Sequence, residues 1–121
     1  MNVLMIAAHG SRKKTSNAEV ADLARRLGDS LASRFDRVEH AFLQFAEPLL
    51  EDRLDALARD GAGRIVLFPF FIAAGSHITE DIPALVEKIK GRFPDVQIVV
   101  TRHLGALDAI DSVISDAACQ V

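Results

Sequence analysis

The stretch that decides the fold is Val3-Leu4-Met5-Ile6-Ala7-Ala8-His9-Gly10-Ser11, in which an unbroken apolar run ends at an imidazole, a glycine and a hydroxyl. An apolar run without alternation is typical of a strand that helices cover on both faces. Ligands of open α/β sheets bind just outside the carboxyl ends of such strands. The sequence therefore predicts a buried strand over Val3 to Ala8 and places His9 where a ligand would bind.

Three further runs predict strands, and each is separated from the next by a helical pattern. They are Val38 to Phe45, Ile65 to Ile72 and Val96 to Val100. The first of them is the least apolar and is expected near an edge of the sheet. Pro69 lacks an N–H for the ladder and is expected to mark the end of the strand that contains it.

Four helices are expected between and after these strands. Ser16-Asn17-Ala18-Glu19 has the spacing of a capping box and predicts the start of the first helix. Pro48 suits the first turn of the second. Thr79 or Asp81 is expected to cap the third, with Pro83 in its first turn. The last helix carries an apolar stripe that consists of Leu107, Ile110, Ile114 and Ala117.

Four consecutive strand–helix units predict an α/β fold. The expected architecture has three layers, with helices on both faces of a four-stranded parallel sheet of order 2-1-3-4, as in flavodoxin-like proteins. The 121 residues fit one domain that spans residues 1–121. The switch point of that strand order lies between the first and third strands.

Composition narrows the class of protein. The net charge of −3 argues against non-specific binding of nucleic acid. No apolar run is long enough for a membrane span, and no signal peptide is recognisable. Cys119 is the only cysteine, which excludes intramolecular disulfides and cysteine-rich metal sites. A cytoplasmic location is therefore expected.

Two histidines follow the strands that flank the switch point. His9 follows the first strand, and His77 in Ala74-Gly75-Ser76-His77 follows the third. Topology should bring both to one crevice, where imidazoles can bind a transition metal or accept protons. A single histidine in a loop is usually just a polar surface residue without a function, but two histidines at a switch point make that interpretation weaker. His40 lies early in its strand and is expected to be structural.

Charged residues near these histidines are the other candidates. Glu80 is close enough to His77 in sequence to act as a proton acceptor or as a partner of the imidazole, whereas Asp81 is expected to favour a helix start through the helix dipole. Gln44 either finds a partner in the core or faces the crevice, and Glu47 is expected only to open a helix. Arg102 and His103 are possible contacts for a carboxylate.

The loop after the first strand contains three consecutive cations, Arg12, Lys13 and Lys14. These could meet a polyanionic ligand or could simply be solvated. The loop lacks the GxxxxGK[ST] pattern of a P-loop. A Ser-His-Asp hydrolase is disfavoured because neither Ser11 nor Ser76 lies in a G-x-S-x-G elbow.

Three segments together resemble the small sirohydrochlorin chelatases, the short CbiX and SirB type of class II tetrapyrrole chelatase. These segments extend over most of the chain in the family's order. They are Ala8-His9-Gly10-Ser11, Phe42-Leu43-Gln44-Phe45-Ala46-Glu47-Pro48 and Phe70-Phe71-Ile72-Ala73-Ala74-Gly75-Ser76-His77-Ile78-Thr79-Glu80-Asp81-Ile82-Pro83.

The resemblance implies a lyase that inserts Co²⁺ or Fe²⁺ into sirohydrochlorin for cobalamin or siroheme synthesis; related members handle Ni²⁺. It implies a chelatase-like half lobe in which His9 and His77 handle the metal. Glu80 is the expected carboxylate helper, and the metal is a substrate rather than a permanently bound cofactor. Longer relatives contain two lobes, so a homodimer is expected. The residues expected to contact the tetrapyrrole are Ser11, Arg12, Lys13, Lys14, Gln44 and Ser76.

One position departs from the family pattern. Many relatives carry a glutamate where this chain has Gln44, which offers a carbonyl oxygen but no charge. Proton acceptance would then fall to Glu80, Glu47 or solvent. A non-catalytic carrier of metal or tetrapyrrole on the same scaffold is the alternative function.

Overall fold

The computed structural model describes residues 1–121 and contains one sheet with helices on both faces. The four strands are β1 (Asn2–Ala8), β2 (Arg37–Phe42), β3 (Arg64–Pro69) and β4 (Gln97–Val100). All pair in parallel in the order β2-β1-β3-β4. The expected α/β fold and strand order are confirmed, and β2 lies at an edge as its mixed composition indicated.

The helices occur between the strands and after the last one. They are α1 (Lys14–Ser30), α2 (Leu50–Arg59), α3 (Ile82–Arg92) and α4 (Ala109–Cys119). A π-helical turn (His77–Asp81) leads directly into α3, and a 3-10 turn (Leu104–Ala106) precedes α4. None of these helices combines the length and the apolar character that crossing a bilayer requires.

The strand β1 is buried on both faces, as its unbroken apolar run predicts. Val3, Met5 and Ala7 belong to the larger apolar cluster, which α2 and α3 cover. Leu4 and Ile6 belong to the smaller cluster on the opposite face, which α1 covers. Because β1 is central and has no exposed face, the position of its carboxyl end is fixed by packing from both sides.

The expected boundaries of two strands were too long. Strand β2 ends at Phe42 rather than Phe45. The Phe42 N–H donates to the carbonyl of Pro48, and the N–H groups of Leu43 and Gln44 still donate to the carbonyls of Ala8 and His9 beyond the regular strand. Strand β3 ends at Pro69 rather than Ile72, since proline cannot donate to the ladder. Both shortened strands leave irregular segments at the carboxyl edge of the sheet.

The expected helix starts also required correction. The capping box at Ser16 does not form, because α1 begins at Lys14 and has no side-chain cap. Pro48 precedes α2 by two residues and is not in its first turn. Neither Thr79 nor Asp81 caps α3, because the preceding π-helical turn continues into it without a break.

The last helix does not pack as its apolar stripe predicted. It contacts chiefly the 3-10 turn before it, and every residue from 111 to 121 is exposed. Val113 and Ile114 are each 61% exposed. Helix α4 therefore presents an apolar surface that the rest of this chain does not cover.

Candidate functional site

The two histidines meet at the carboxyl edge of the sheet. The ring centroids of His9 and His77 lie 4.7 Å apart, with the rings nearly perpendicular. His9 directly follows β1, and β1 pairs with β3, whose continuation leads to His77. Phe71 packs against both imidazoles, at 6.4 Å from His9 and 6.1 Å from His77 between ring centroids. The predicted juxtaposition is thus observed, with an aromatic ring holding the pair.

Hydrogen bonds fix the ring of His9. Its Nδ1 lies 3.1 Å from the carbonyl of Gly10, so Nδ1–H is the donor. Its Nε2 lies 3.2 Å from Nε2 of Gln44, and the Gln44 amide N–H donates to that unprotonated nitrogen. The backbone N–H of Gln44 also donates to the carbonyl of His9 at 3.2 Å. Gln44 therefore faces the crevice, at the nitrogen of His9 that a metal would use.

A carboxylate holds His77, and it comes from Asp81 rather than from Glu80. Asp81 Oδ2 lies 2.7 Å from His77 Nδ1, whereas Glu80 is exposed and makes no hydrogen bond or ion pair. The wide π-helical turn brings residues four apart onto one face. A carboxylate on one ring nitrogen leaves the other for a metal, with its basicity raised. Asp81, which was expected to favour the helix start, contacts His77 in place of Glu80. The expected role of Glu80 as a proton acceptor stays a prediction.

The loop that carries His9 is tied down by Asn17. Its side chain accepts from the Ser11 N–H at 3.0 Å and donates to the Ser11 carbonyl at 2.7 Å. The hydroxyl of Ser11 accepts from the Lys13 N–H at 3.0 Å. Ser11 thus has an observed role in loop geometry, and its expected contact with a ligand stays a prediction.

Gly10 allows the two loops of the site to touch. A Cβ at this position would lie 1.8 Å from the carbonyl oxygen of Gln44, and the backbone has φ of +93°. Both conditions exclude an L side chain without movement. The glycine is therefore what lets His9 and Gln44 approach each other.

A cavity of about 430 Å³ opens on the α1 side of this site. Arg12 and Lys14 line it, together with the half-buried His40. The Arg12 guanidinium lies over the ring of Phe45, 4.8 Å from its centroid. Lys13 is also exposed at the start of α1. The basic loop thus borders a cavity next to the histidines, as a role in binding anions requires.

A second cavity, of about 440 Å³, opens on the other side. Its lining includes both His77 and Gln44. Its charged lining residues are all acidic: Glu51, Asp52 and Asp81. The histidine pair therefore lies between a cavity with cationic side chains and a cavity with carboxylates.

Comparison with known proteins identifies the family. A family model described as CbiX matches residues 3–121. The chain belongs to the CbiX family. This CbiX-family chain is 30% identical over 118 residues to the sirohydrochlorin cobaltochelatase of Sulfurisphaera tokodaii, an alignment that covers 98% of the chain and 92% of that protein.

A second curated relative is about twice as long. The chloroplastic sirohydrochlorin ferrochelatase of Arabidopsis thaliana is 29% identical over 113 residues, which cover 93% of this CbiX-family chain and 49% of the plant protein. The chain therefore spans about half the length of that relative.

Two solved structures share the fold. One, from Marinobacter aquaeolei, is assigned to CbiX of cobalamin biosynthesis; it has a TM-score of 0.76 and 22% identity, and covers 99% of this chain and 96% of its own. The other is the sirohydrochlorin chelatase SirB from Bacillus subtilis subspecies spizizenii in complex with cobalt. It has a TM-score of 0.79 and 21% identity, and the match covers 99% of this chain and 50% of the SirB chain. At these identities the likeness establishes the fold alone.

Several candidate residues of the CbiX-family chain lie outside these contacts. Ser76 is exposed and precedes the π-helical turn without capping it, and Glu47 only lines the first cavity. Arg102 and His103 make no side-chain contact with the pair. His40 packs edge-on against Phe42 at 5.5 Å, and burial lowers the pKa of its imidazole. This packing agrees with a structural role for His40.

The sequence interpretation missed three functional candidates: Asp81 as the partner of His77, Asn17 as the loop anchor, and Phe45 as the aromatic neighbour of Arg12. The spacing of Asp81 from His77 is that of neighbours on one helix face and could have found it. Nowhere do three or more His, Cys, Asp or Glu side chains converge as a metal site. The site thus offers two imidazoles with different supports, which suits a metal that must also leave.

Proposed function

We propose that this chain is a sirohydrochlorin chelatase that inserts a divalent metal into the tetrapyrrole, in cobalamin or siroheme synthesis. The observation that carries the proposal is the approach of His9 and His77 to 4.7 Å at the carboxyl edge of the sheet, in a chain of the CbiX family. The relatives named as cobaltochelatase and ferrochelatase support the same reaction class.

The metal enters as a substrate and binds the free ring nitrogen of His77 together with Nε2 of His9, from which the Gln44 amide must withdraw. Neutral imidazole binds Co²⁺, Fe²⁺ and Ni²⁺ without the charge of a thiolate or carboxylate. Because few protein ligands hold the metal, the pyrrole nitrogens can displace them. His77, held at Nδ1 by Asp81, keeps its other nitrogen aimed and basic while the ligands exchange.

Proton removal completes the reaction. Both pyrrole N–H protons must leave as the metal–nitrogen bonds form, so the products are the metallated ring and two protons. The imidazoles accept these protons as the metal moves from them to the ring, and solvent at the exposed His9 removes them. Gln44 is an amide and accepts no proton near neutral pH.

The tetrapyrrole carries many carboxylates, and the basic loop is the surface that suits them. Arg12, Lys13 and Lys14 would bind these groups by charge-assisted hydrogen bonds. Ser11, Gln44 and Ser76 are the other proposed contacts with the substrate. Glu80, which no contact links to either histidine, remains a proposed proton acceptor only if the bound substrate reaches it.

A homodimer would complete the cleft. The apolar surface of α4, with Val113 and Ile114 61% exposed, supports association with a second copy. The SirB chain, of which this chain covers 50%, has the length of two such units. The cytoplasmic location expected from the single cysteine stays a prediction.

The deciding experiment is anaerobic incubation of the purified protein with sirohydrochlorin and Co²⁺, Fe²⁺ or Ni²⁺ in turn, followed by absorption spectra. We expect insertion well above the protein-free rate for at least one metal. His9→Ala and His77→Ala should each lose more than the about 10- to 100-fold typical of groups that only support a ligand. His103→Ala removes an imidazole outside the pair and serves as the control.

The second candidate function is a carrier of metal or tetrapyrrole. The observation that favours it is Gln44, which places a neutral amide 3.2 Å from Nε2 of His9. A carrier would bind metal through His9 and His77 and yet leave the insertion rate at that of the protein-free control for every metal.

A further inference from the structure

Phe45 has two properties that its packing in this chain does not explain. It is 53% exposed although it is large and apolar. It is also the only residue other than glycine with a positive φ, at +66°. That conformation is unfavourable for a bulky side chain, and strain of this kind concentrates at ligand-binding sites. The fold therefore keeps a strained backbone and places an aromatic ring in solvent.

The surroundings of Phe45 match one kind of ligand. Its ring centroid lies 6.5 Å from that of His9, with the ring planes inclined by 39°. The Arg12 guanidinium lies over the ring, 4.8 Å from its centroid, and Arg12 and Phe45 both line the 430 Å³ cavity. A flat aromatic ligand centred on the histidines would extend over Phe45 and place its rim at Arg12.

The charges of the cavity favour carboxylates at that rim. Arg12 and Lys14 contribute two cations, against the single carboxylate of Glu47. A guanidinium stacked on a ring is oriented in advance, so it loses less freedom when it binds a carboxylate. The remaining wall includes the small side chains of Ala18, Ala21 and Ala46, which leave room for a flexible carboxylate arm.

We infer that Phe45 and Arg12 form an aromatic–cation platform that holds one edge of the macrocycle, with a peripheral carboxylate in the cavity between α1 and β2. The inference rests on the proposed chelatase function. Stacking of Phe45 on the face of the ring fixes where its centre lies relative to His9 and His77. The platform is thus a positioning site for the substrate, separate from the groups that handle metal and protons.

The test measures binding of metal-free sirohydrochlorin by fluorescence titration, alongside KM and kcat for insertion. Phe45→Ala should raise both Kd and KM about tenfold, the size of one stacked aromatic contact, with kcat changed less than about twofold. Phe45→Tyr should restore binding, and Phe45→Leu should not. Co²⁺ affinity and Tm should stay at wild-type values.

Arg12→Gln tests the contribution of the Arg12 charge separately from that of the Phe45 ring. It should weaken binding of the free acid about tenfold and leave binding of the methyl ester unchanged, whereas Phe45→Ala should weaken both. Arg34→Gln, at an exposed arginine in the turn after α1, is the matched control.

Two outcomes would overturn the platform. One is unchanged Kd and KM in Phe45→Ala. The other combines two results. Phe45→Ala loses both tetrapyrrole binding and thermal stability, seen as a lower Tm, whereas Phe45→Gly, whose backbone suits a positive φ, binds the tetrapyrrole as the wild type does. Failure of the proposed function looks different, because the wild-type protein then leaves the insertion rate unchanged, and the binding titrations still report on the platform.

Discussion

The carboxylate of Asp81 lies 2.7 Å from Nδ1 of His77, within the single π-helical turn that joins the β3 loop to α3. His9 has no such partner and is held instead by the Gly10 carbonyl and the neutral amide of Gln44. The two imidazoles of the site are therefore not equivalent. His77 has the stronger, charge-assisted support, and His9 has only neutral hydrogen-bond partners.

Asp81→Asn tests this difference between the histidines. The amide cannot provide a charge-assisted bond to His77 Nδ1, so we expect Co²⁺ affinity and insertion rate to fall about 10- to 100-fold. Calorimetric titration with Co²⁺ and the insertion assay measure both. Glu80→Gln is the matched control for Co²⁺ affinity, because it removes the neighbouring carboxylate that contacts neither histidine. Equal losses of Co²⁺ affinity in the two variants would contradict the assignment of Asp81.

Gln44→Glu tests whether this position faces the bound metal. A carboxylate would replace the amide that lies 3.2 Å from His9 Nε2, so we expect about tenfold tighter binding of Co²⁺ and an altered order of preference among Co²⁺, Fe²⁺ and Ni²⁺. Gln44→Ala, which removes the amide without adding charge, should change affinity much less. An unchanged order of preference in Gln44→Glu would place Gln44 away from the metal.

Gly10→Ala should disrupt the site through the backbone. The added methyl would lie 1.8 Å from the Gln44 carbonyl oxygen at a φ of +93°, so we expect a loss of at least about 2 kcal/mol in the free energy of unfolding. Chemical denaturation measures it. Gly91→Ala is the control: it lies in α3 with open space around it and should gain about 0.5–1 kcal/mol. If Gly10→Ala lowered the free energy of unfolding by only a few tenths of a kcal/mol, the close approach of the loops would be contradicted.

Introducing a negative charge on the apolar surface of α4 should dissociate the proposed dimer. Val113→Asp and Ile114→Asp each place a carboxylate on the exposed apolar surface, and we expect sedimentation at the mass of one chain where the wild type sediments at twice that mass. Ser112→Asp changes charge on the same exposed helix and tests whether added charge alone separates the copies. A wild-type protein of single-chain mass at working concentrations would refute the dimer itself.

His40 should make stability depend on pH. Burial lowers the pKa of its imidazole, with Glu39 opposing this weakly, so the unfolded chain takes up the proton at a higher pH than the folded chain does. The contribution of His40 to stability is therefore present above the unfolded pKa of about 6.5 and declines as pH falls below it. His40→Gln should show a smaller drop in Tm than wild type between about pH 7.5 and about pH 5.5. Equal drops would show that the imidazole is well solvated.

The sequence alone determined the architecture and the meeting of the first two candidate residues. The unbroken apolar run of β1 could be satisfied only by burial on both faces, and alternating strand and helix patterns then required a parallel sheet. The strand order placed the ends of β1 and β3 side by side, so His9 and His77 had to meet although they are far apart in the chain. Periodicity carries this information because it reports which faces are buried.

The tertiary structure decided what surrounds that pair. The four-residue spacing allows Asp81 to reach His77, and the π-helical turn decides that Asp81 rather than the adjacent Glu80 makes the contact. The loop after β2, in which Phe45 has a φ of +66°, is closed by a hydrogen bond from the Phe42 N–H to the carbonyl of Pro48. Such contacts join segments by hydrogen bonds and close approach, which leave no period in the sequence. Periodic burial therefore specified the scaffold, and only the folded loops specified the chemistry around its histidines.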